Sequence, residues 1–196
     1  MSSDPWMMTA TGLHVHLLGP GESEISPTDL AIHLSNTPRF AGAVSYSVAQ
    51  HSVRVARLLA EWSYDPLYQF IGLIHDAHEA YTGDMISPWK KALATLYPDF
   101  PSRLAEIERK FLIQILKRAG IDWLDQRLTE GVFDAVKEAD LAMLWRERQD
   151  LFPQDIEWSP PKPVGAALIK RVKPWTRAAS RENFQNEWRR LSRLAR

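Results

Sequence analysis

A five-residue segment near the middle of the chain carries an unusual density of ionisable side chains. The sequence IGLIHDAHEAYTGDMISP, residues 71–88, places His75, Asp76, His78 and Glu79 directly after an apolar run. A buried charge is costly unless it is paired, neutralised or bound to a metal ion. The chain contains no cysteine, so any transition metal must be held by histidines and carboxylates.

Two histidines are expected to point from helices towards the core. His51 follows Val48 by three residues and precedes Val55 by four, so helical periodicity places it on the apolar face. His75 follows Ile71 by four residues on a second apolar helix. Taken alone, either histidine could be an ordinary core residue whose ring is hydrogen-bonded.

Asp140 is the corresponding carboxylate on a third helix. It follows Val136 by four residues and precedes Met143 by three, whereas Glu138 and Glu147 of the same helix are expected to face water. An inward aspartate can also be a cap or an ion-pair partner. Because four such groups come from three helices of one small bundle, we favour a metal centre over separate structural roles.

The expected ligand set is His51, His75, Asp76 and Asp140. Two imidazoles and two carboxylates suit one divalent ion of Mn, Fe, Co, Ni or Zn. Glu79 lies one helical turn beyond His75 and Asp76, and its carboxylate is expected to reach a water at the metal. His78 fits either a ligand role or a substrate-facing role, and the four other ligands favour the second.

Helical patterns dominate the rest of the sequence and predict an all-α bundle with a short N-terminal strand or hairpin. Helices are predicted from Ser26 to Asn36, with a proline after the cap, from Ser47 to Trp62, and from Pro66 to Gly83. Three more are predicted in residues 101–120, with Ser102 as cap and Gly120 as terminator, in 130–152 and in 176–195. The Pro-rich residues 153–163 are interpreted as a surface loop. We expect one domain over residues 1–196.

Composition excludes several classes of function. The 24 basic and 24 acidic residues give a net charge of zero, so no overall field indicates a nucleic-acid or membrane partner. The start of the chain does not read as a signal peptide, and no run of about 18 apolar residues occurs. We therefore expect a cytoplasmic protein without a membrane partner. Apolar residues on the C-terminal helix, interpreted as exposed, favour self-association.

The four expected ligands resemble the pattern of the HD-domain metal-dependent phosphohydrolases, which is a histidine, a His-Asp pair and a distant aspartate. The resemblance extends to the segments TPRF, YSVAQHSVRVARLL, GLIHDAHEAYTGDMISPWK and VKEADLAMLWRERQDLF. These are similar to bacterial and phage 5'-deoxynucleotidase-like HD proteins, a group that includes phage triphosphohydrolases of dATP. The similar region covers about residues 26–152 and makes the expected bundle an HD domain.

The resemblance implies roles for several residues. It implies one divalent metal, with Mg²⁺ as a further candidate for a triphosphate substrate, and Glu79 as the group that orients or deprotonates the attacking water. It also implies that Arg39 contacts phosphate, that Asp84 contacts the sugar and that Lys90 meets phosphate oxygens. Family members of this kind form dimers or larger rings, so a homo-oligomer is expected, as a dimer or a hexamer.

Two positions depart from the family pattern. Gln50 stands where the family usually has a glutamate before the first histidine. Phe40 stands where the nucleotidases commonly have tryptophan after the arginine, and that aromatic residue is associated with rejection of a 2'-hydroxyl.

The sequence therefore favours a hydrolase of 2'-deoxynucleotides, either a 5'-deoxynucleotidase or a dNTP triphosphohydrolase. Two alternatives stay open. One is an HD phosphodiesterase of cyclic or alarmone nucleotides. The other is a non-catalytic, metal-stabilised module whose basic C-terminal helix contacts nucleic acid.

Overall fold

The N-terminal segment forms the predicted hairpin. The computed structural model describes residues 5–154, 157–158, 160–165 and 168–196. Strands β1 (Trp6–Met8) and β2 (His14–His16) pair antiparallel, with Met7 opposite Val15. Asp29 anchors the connecting turn, because its carboxylate accepts hydrogen bonds from the backbone nitrogen and the hydroxyl of Thr11 at 2.9 and 2.6 Å.

Helices make up most of the described chain, in agreement with the predicted all-α class. Their bounds are α1 (Pro27–Asn36), α2 (Val48–Glu61), α3 (Pro66–Ile74), α4 (Glu79–Thr82), α5 (Ser87–Leu96), α6 (Phe100–Arg118), α7 (Glu130–Leu151) and α8 (Arg177–Leu194). Short 3₁₀ turns lie at Glu22–Glu24 and Phe40–Gly42. Among the described residues, no helix is long and apolar enough to cross a membrane.

Local capping explains several helix starts. The Ser26 hydroxyl accepts the Asp29 backbone N–H at the start of α1, and the Ser47 hydroxyl accepts the Gln50 N–H at the start of α2. Thr176 caps α8 in the same way. The predicted cap of α6 is wrong: that helix begins before Ser102, whose hydroxyl donates to the Asp99 carbonyl instead.

The core forms where α2 packs against α3, α7 and α8, with α1 against α8 and α2. Gly72 allows the close approach of α3 to α2, because a Cβ at this position would lie 2.5 Å from Leu59 Cδ1. Phe184, Trp188 and Leu191 of α8 are buried in this core. The apolar face of the C-terminal helix is therefore mostly covered within the chain, and of its large apolar residues only Leu194, 55% exposed, meets the expectation of exposure within the described part of the helix.

The helix predicted from Pro66 to Gly83 is broken in the middle. It ends at Ile74, residues 75–78 form turns, and α4 resumes at Glu79. The His75 ring donates from Nδ1 to the Gly72 carbonyl at 2.8 Å, which is the acceptor that residue 76 would use in a continuous helix. The densest part of the motif thus lies on a turn rather than on a regular helix.

An additional helix, α5, was not predicted. None of its ten described residues is buried, and Leu96 is 69% exposed. Its sequence nevertheless carries an apolar stripe, because Trp89, Leu93 and Leu96 repeat at helical spacing, so a signal for this helix was present. The predicted surface loop at 153–163 lies partly outside the described residues.

Candidate metal centre

His51 is held in a defined orientation by a buried glutamate. It is fully buried on α2, and its Nδ1 donates to Glu147 Oε1 at 2.6 Å. Its Nε2 has no hydrogen-bond partner within the described part of the chain. A carboxylate on one ring nitrogen commonly fixes the ring so that the other nitrogen can bind a metal.

The His75 ring is also oriented by a hydrogen bond at Nδ1, but its partner is a backbone carbonyl. A carbonyl oxygen only accepts, so the Nδ1 that contacts Gly72 O carries the proton and Nε2 presents its lone pair. That Nε2 is also buried without a hydrogen-bond partner in residues 5–154 or the other described ranges. The two histidine rings lie with centroids 5.3 Å apart. Two ring nitrogens that have no hydrogen bond among the described residues thus lie close together.

Asp76 and Asp140 bring carboxylate oxygens to these nitrogens. Asp76 Oδ2 lies 3.1 Å from His75 Nε2 and 3.8 Å from His51 Nε2. Asp140 Oδ1 lies 3.2 Å from His51 Nε2 and 4.0 Å from His75 Nε2. Atoms that each lie about 2.1 Å from one ion are separated by about 3.0 Å in adjacent octahedral positions and about 4.2 Å in opposite ones. His51, His75 and Asp76 offer ligand atoms that all lie within 4.8 Å of one another and could hold one divalent ion, whereas Asp140 contacts the histidines without joining this group.

The electrostatics match that arrangement. Burial acts against ionisation of both aspartates, but the neighbouring histidines outweigh it and lower the pKa of each carboxyl. Burial and Arg39 disfavour the charged form of His51, yet Glu147 and Asp140 prevail and raise its pKa to about 9. A metal must displace this proton, so we expect metal binding at neutral pH to release protons.

Glu147 is the main residue that the sequence analysis misplaced. It was expected to face water, but its side chain is fully buried between His51 and Arg39, with Arg39 Nε 3.3 Å from its Oε2. Seven residues separate it from Asp140, which is two helical turns on the same face. The seven-residue spacing from Asp140 could therefore have predicted that Glu147 points towards the core.

Arg39 lies beside the ligand cluster. Its Nη1 is 3.4 Å from Asp76 Oδ2, and only 11% of its side chain is exposed. Burial opposes its charge, but Glu147 and Asp76 raise its pKa above the ordinary value. The guanidinium is therefore charged and adjoins the proposed ligand Asp76.

Glu79 is nearly buried at the start of α4. Its Oε2 has no hydrogen-bond partner among the residues that the structure describes. Burial, followed by the charges of Asp76 and Asp84, raises its pKa to about 10. Despite the break in the helix, Glu79 is therefore close enough to the proposed ligand Asp76 for the charge of that carboxylate to raise its pKa.

Asp84 and Phe40 meet at a strained loop. The Phe40 backbone N–H donates to Asp84 Oδ2 at 3.1 Å, and Phe40 and Ala41 have φ angles of 56° and 52°. Such left-handed backbone is costly for non-glycine residues and needs support from its surroundings. Asp84 supplies such support and also lines a cleft of about 740 Å³.

Lys90 and His78 share one partner that the sequence analysis did not identify. Glu108 Oε1 lies 3.3 Å from Lys90 Nζ and 3.4 Å from His78 Nε2. His78 thus contacts α6 through Glu108 and does not join the four expected ligands. Gln50 is structural, because its amide group donates to Lys173 O and accepts from the Trp175 N–H.

The described structure is thus a helical protein in which His51, His75 and Asp76 form a group that could hold a metal ion, with Asp140 beside it. No protein-family model matches the chain. It is 35% identical over 148 residues to the uncharacterized protein YfdR of Escherichia coli, over 74% of this chain and 72% of YfdR. It is 29% identical over 182 residues to the uncharacterized protein RCAP_rcc00048 of Rhodobacter capsulatus, over 85% and 93% of the two chains. The chain belongs to the family of YfdR.

Proposed function

We propose that the protein is a metal-dependent phosphohydrolase that acts at the 5'-phosphate of 2'-deoxynucleotides. The observation that carries the proposal is the pair of buried Nε2 atoms of His51 and His75, which have no hydrogen bond among the described residues and face two carboxylates. The deoxynucleotide substrate is supported by the HD-type pattern of the sequence.

His51, His75, Asp76 and Asp140 would hold the ion. When bound, it would supply a Lewis acid that polarises a phosphoryl oxygen and makes water a better nucleophile at neutral pH. This chemistry needs a nearby group that accepts a proton and a nearby cation that stabilises the phosphoryl charge.

Glu79 fits the first requirement. Its unpartnered Oε2 can orient the attacking water and accept a proton from it. The raised pKa of Glu79 owes part of its shift to the negative charge of Asp76. If Asp76 held a cation, this negative charge would be offset, the pKa of Glu79 would be lower, and the ionised form that accepts a proton would be favoured.

Arg39 fits the second requirement, because its buried guanidinium can donate hydrogen bonds to phosphoryl oxygens. In the reaction, the water oxygen bonds to phosphorus as the bond between phosphorus and O5' breaks. One water proton goes to Glu79 and is later released to solvent, the other stays on the phosphoryl product, and the O5' leaving group takes a proton from solvent. A monophosphate then yields orthophosphate, and a triphosphate yields inorganic triphosphate.

The proposal is tested by incubating the full chain with each nucleoside mono-, di- and triphosphate in the presence of Mn²⁺, Co²⁺, Zn²⁺ or Mg²⁺ and resolving the products by chromatography. We expect metal-dependent cleavage at the 5'-phosphate, faster for deoxy- than for ribonucleotides. Stoichiometric metal binding without turnover of any nucleotide would contradict the proposal and favour a non-catalytic module.

A further inference from the structure

Three aromatic side chains meet beside Arg39. The Phe40 and Phe152 rings have centroids 5.1 Å apart and an interplanar angle of 85°. The Trp158 ring lies 6.1 Å from that of Phe40 and 5.6 Å from that of Phe152. All three pairs have the edge-to-face geometry that aromatic rings favour. We call Phe40, Phe152 and Trp158 the aromatic cluster.

The aromatic cluster is fixed to helix α7. Phe152 directly follows the last residue of this helix. The buried Arg148 side chain of the same helix donates from Nε to the Trp158 carbonyl at 2.6 Å. The rings of Phe152 and Trp158 are therefore held against the helix that also carries Asp140.

Phe40 joins the aromatic cluster to Arg39. The guanidinium carbon of Arg39 lies 5.3 Å from the centroid of the Phe40 ring, in a cation–π contact. The left-handed backbone of Phe40 persists only where its surroundings hold it. The Asp84 carboxylate holds the Phe40 N–H, and the rings of Phe152 and Trp158 hold the Phe40 side chain. The ring under the guanidinium thus has a defined position.

Hydrogen bonds hold the Arg39 side chain only loosely. Its Nε makes none within the described part of the chain, although Glu147 Oε2 lies 3.3 Å away. Its Nη1 lies 3.4 Å from Asp76 Oδ2, whereas strong charge-assisted hydrogen bonds measure about 2.7 to 2.9 Å. The Phe40 ring therefore provides a surface that orients the guanidinium where hydrogen bonds do not.

We propose that Phe152 and Trp158 are positioning residues for the phosphohydrolase reaction, and that they act through Phe40 to hold Arg39 towards a phosphate at the metal centre. The inference rests on the proposed function and adds two residues that the sequence analysis did not include in the site. Truncation of Trp158 removes one of the two rings that contact Phe40 in the described chain. The guanidinium then loses a fixed surface, and phosphate binding weakens.

The test titrates the full chain with inorganic phosphate in the presence of Mn²⁺ and compares the wild type with Trp158→Ala by calorimetry. Trp158 is 44% exposed, so its truncation should leave the fold intact. We expect phosphate to bind about 3- to 30-fold more weakly, the range of one cation–π contact, with unchanged metal content. For a deoxynucleotide that the wild type cleaves, kcat/KM should fall by a similar factor. Trp158→Phe keeps an aromatic edge and should restore most of the affinity.

A double-mutant cycle shows whether the effect passes through Arg39. In an Arg39→Ala background, Trp158→Ala should cause no further loss of phosphate affinity. Alanine leaves the buried Glu147 without its cation, so Arg39→Gln, which is neutral but can donate to Glu147, repeats the cycle if the alanine variant does not fold. An equal loss with and without the guanidinium would overturn the inference.

Trp6→Ala is the matched control. Trp6 is 52% exposed, and its ring stacks on that of His14 with centroids 4.3 Å apart. This variant also removes a half-exposed tryptophan that contacts another ring, and it should keep the wild-type phosphate affinity. An equal weakening in Trp6→Ala would contradict the specific role of Trp158.

Inorganic phosphate also separates positioning from direct contact with a substrate. It carries no base, so a Trp158 ring that only stacked on a nucleobase would leave its affinity unchanged, and unchanged affinity in Trp158→Ala would overturn the inference. A wild type that binds no phosphate would overturn it as well, because Arg39 would have no phosphate to meet. If phosphate binds as expected but no nucleotide is cleaved, the proposed function fails, and the double-mutant cycle still decides whether Trp158 positions Arg39.

Discussion

Glu147 and Glu187 are two buried glutamates that pair with basic side chains of the same helix, α2. Glu147 lies on α7 and contacts the Nδ1 atom of His51 at 2.6 Å. Glu187 lies on α8 and contacts the Nε atom of Arg57 at 2.8 Å. By burial and charge alone, the two sites resemble each other.

The difference lies in what the partners do with their remaining polar atoms. In the α8 cluster, Arg57 also donates to Asn183, while Arg190 donates to both Glu187 and Gln69. In the α7 cluster, His51 keeps an Nε2 atom without a hydrogen bond among the described residues. Polar groups that are all paired are expected of a structural network, whereas a buried unpaired nitrogen needs another explanation. The proposed metal centre offers such an explanation.

The largest effect is expected from Asp76→Asn. Loss of this carboxylate removes a charge that contacts both histidines and Arg39, so metal content and phosphate release should fall to background. Metal analysis of the purified protein and a product assay measure the two effects. Glu187→Gln removes the same charge from the α8 cluster and should leave metal content unchanged. Full metal content in Asp76→Asn would remove Asp76 from the ligand set.

Glu79→Gln should separate chemistry from metal binding. The amide cannot accept a proton from water, so kcat should fall by about 10²- to 10⁴-fold while the metal stays bound. Activity assays and metal analysis on the same preparation test this expectation. Near-normal turnover would show that another group accepts the proton.

The same variant should stabilise the metal-free protein at alkaline pH. Glu79 keeps its proton in the folded state up to a pKa of about 10, against an ordinary value of 4.5. The unfolded chain binds fewer protons between these values, so the stability of the wild type falls as the pH rises through this window. After chelation at pH 8, Glu79→Gln should gain about 1 to 3 kcal/mol, with the cost of burying an amide included. Denaturant unfolding should show this gain vanish near pH 4.

Glu147→Gln tests whether the α7 cluster acts through His51. Replacing the carboxylate weakens the hydrogen bond that orients the imidazole, and loss of such a partner typically reduces metal affinity by about 10- to 100-fold. Competition with a chromophoric chelator measures the affinity. Since Glu147 does not itself belong to the ligand set, excess metal should restore much of the activity. Unchanged metal affinity in Glu147→Gln would show that Glu147, like Glu187, has only a structural role.

Helical periodicity predicted the parts of the site that lie on regular helices. His51 and Asp140 were placed correctly because each shares a face with residues that are buried on α2 and α7. Glu147 repeats that face two turns after Asp140 and could have been recognised by the same rule. The break after Ile74 could not be predicted by this rule, since it depends on one hydrogen bond from the His75 side chain to the Gly72 backbone carbonyl.

Contacts between distant segments were beyond the reach of periodicity. Glu108 meets His78 across 30 positions of the sequence, and Arg57 meets Glu187 across 130, through the packing of separate helices. Nothing in the local sequence distinguishes Glu108 from Glu106, although the former contacts His78 and Lys90 and the latter contacts Lys110. Helix α5 is a different case, because Trp89, Leu93 and Leu96 repeat at helical spacing and could have predicted it.

The smallest effect is expected from Glu187→Gln. This change weakens two ion pairs, but Arg57 and Arg190 are 43% and 47% exposed, so water screens both charges and can solvate them after the mutation. The loss should therefore be about 1 kcal/mol in the free energy of unfolding, measured by denaturant titration of the metal-free protein. Metal affinity and turnover should match the wild type. A loss of metal affinity in this variant would mean that the α8 cluster supports the centre through α2, and the distinction between the two glutamates would fail.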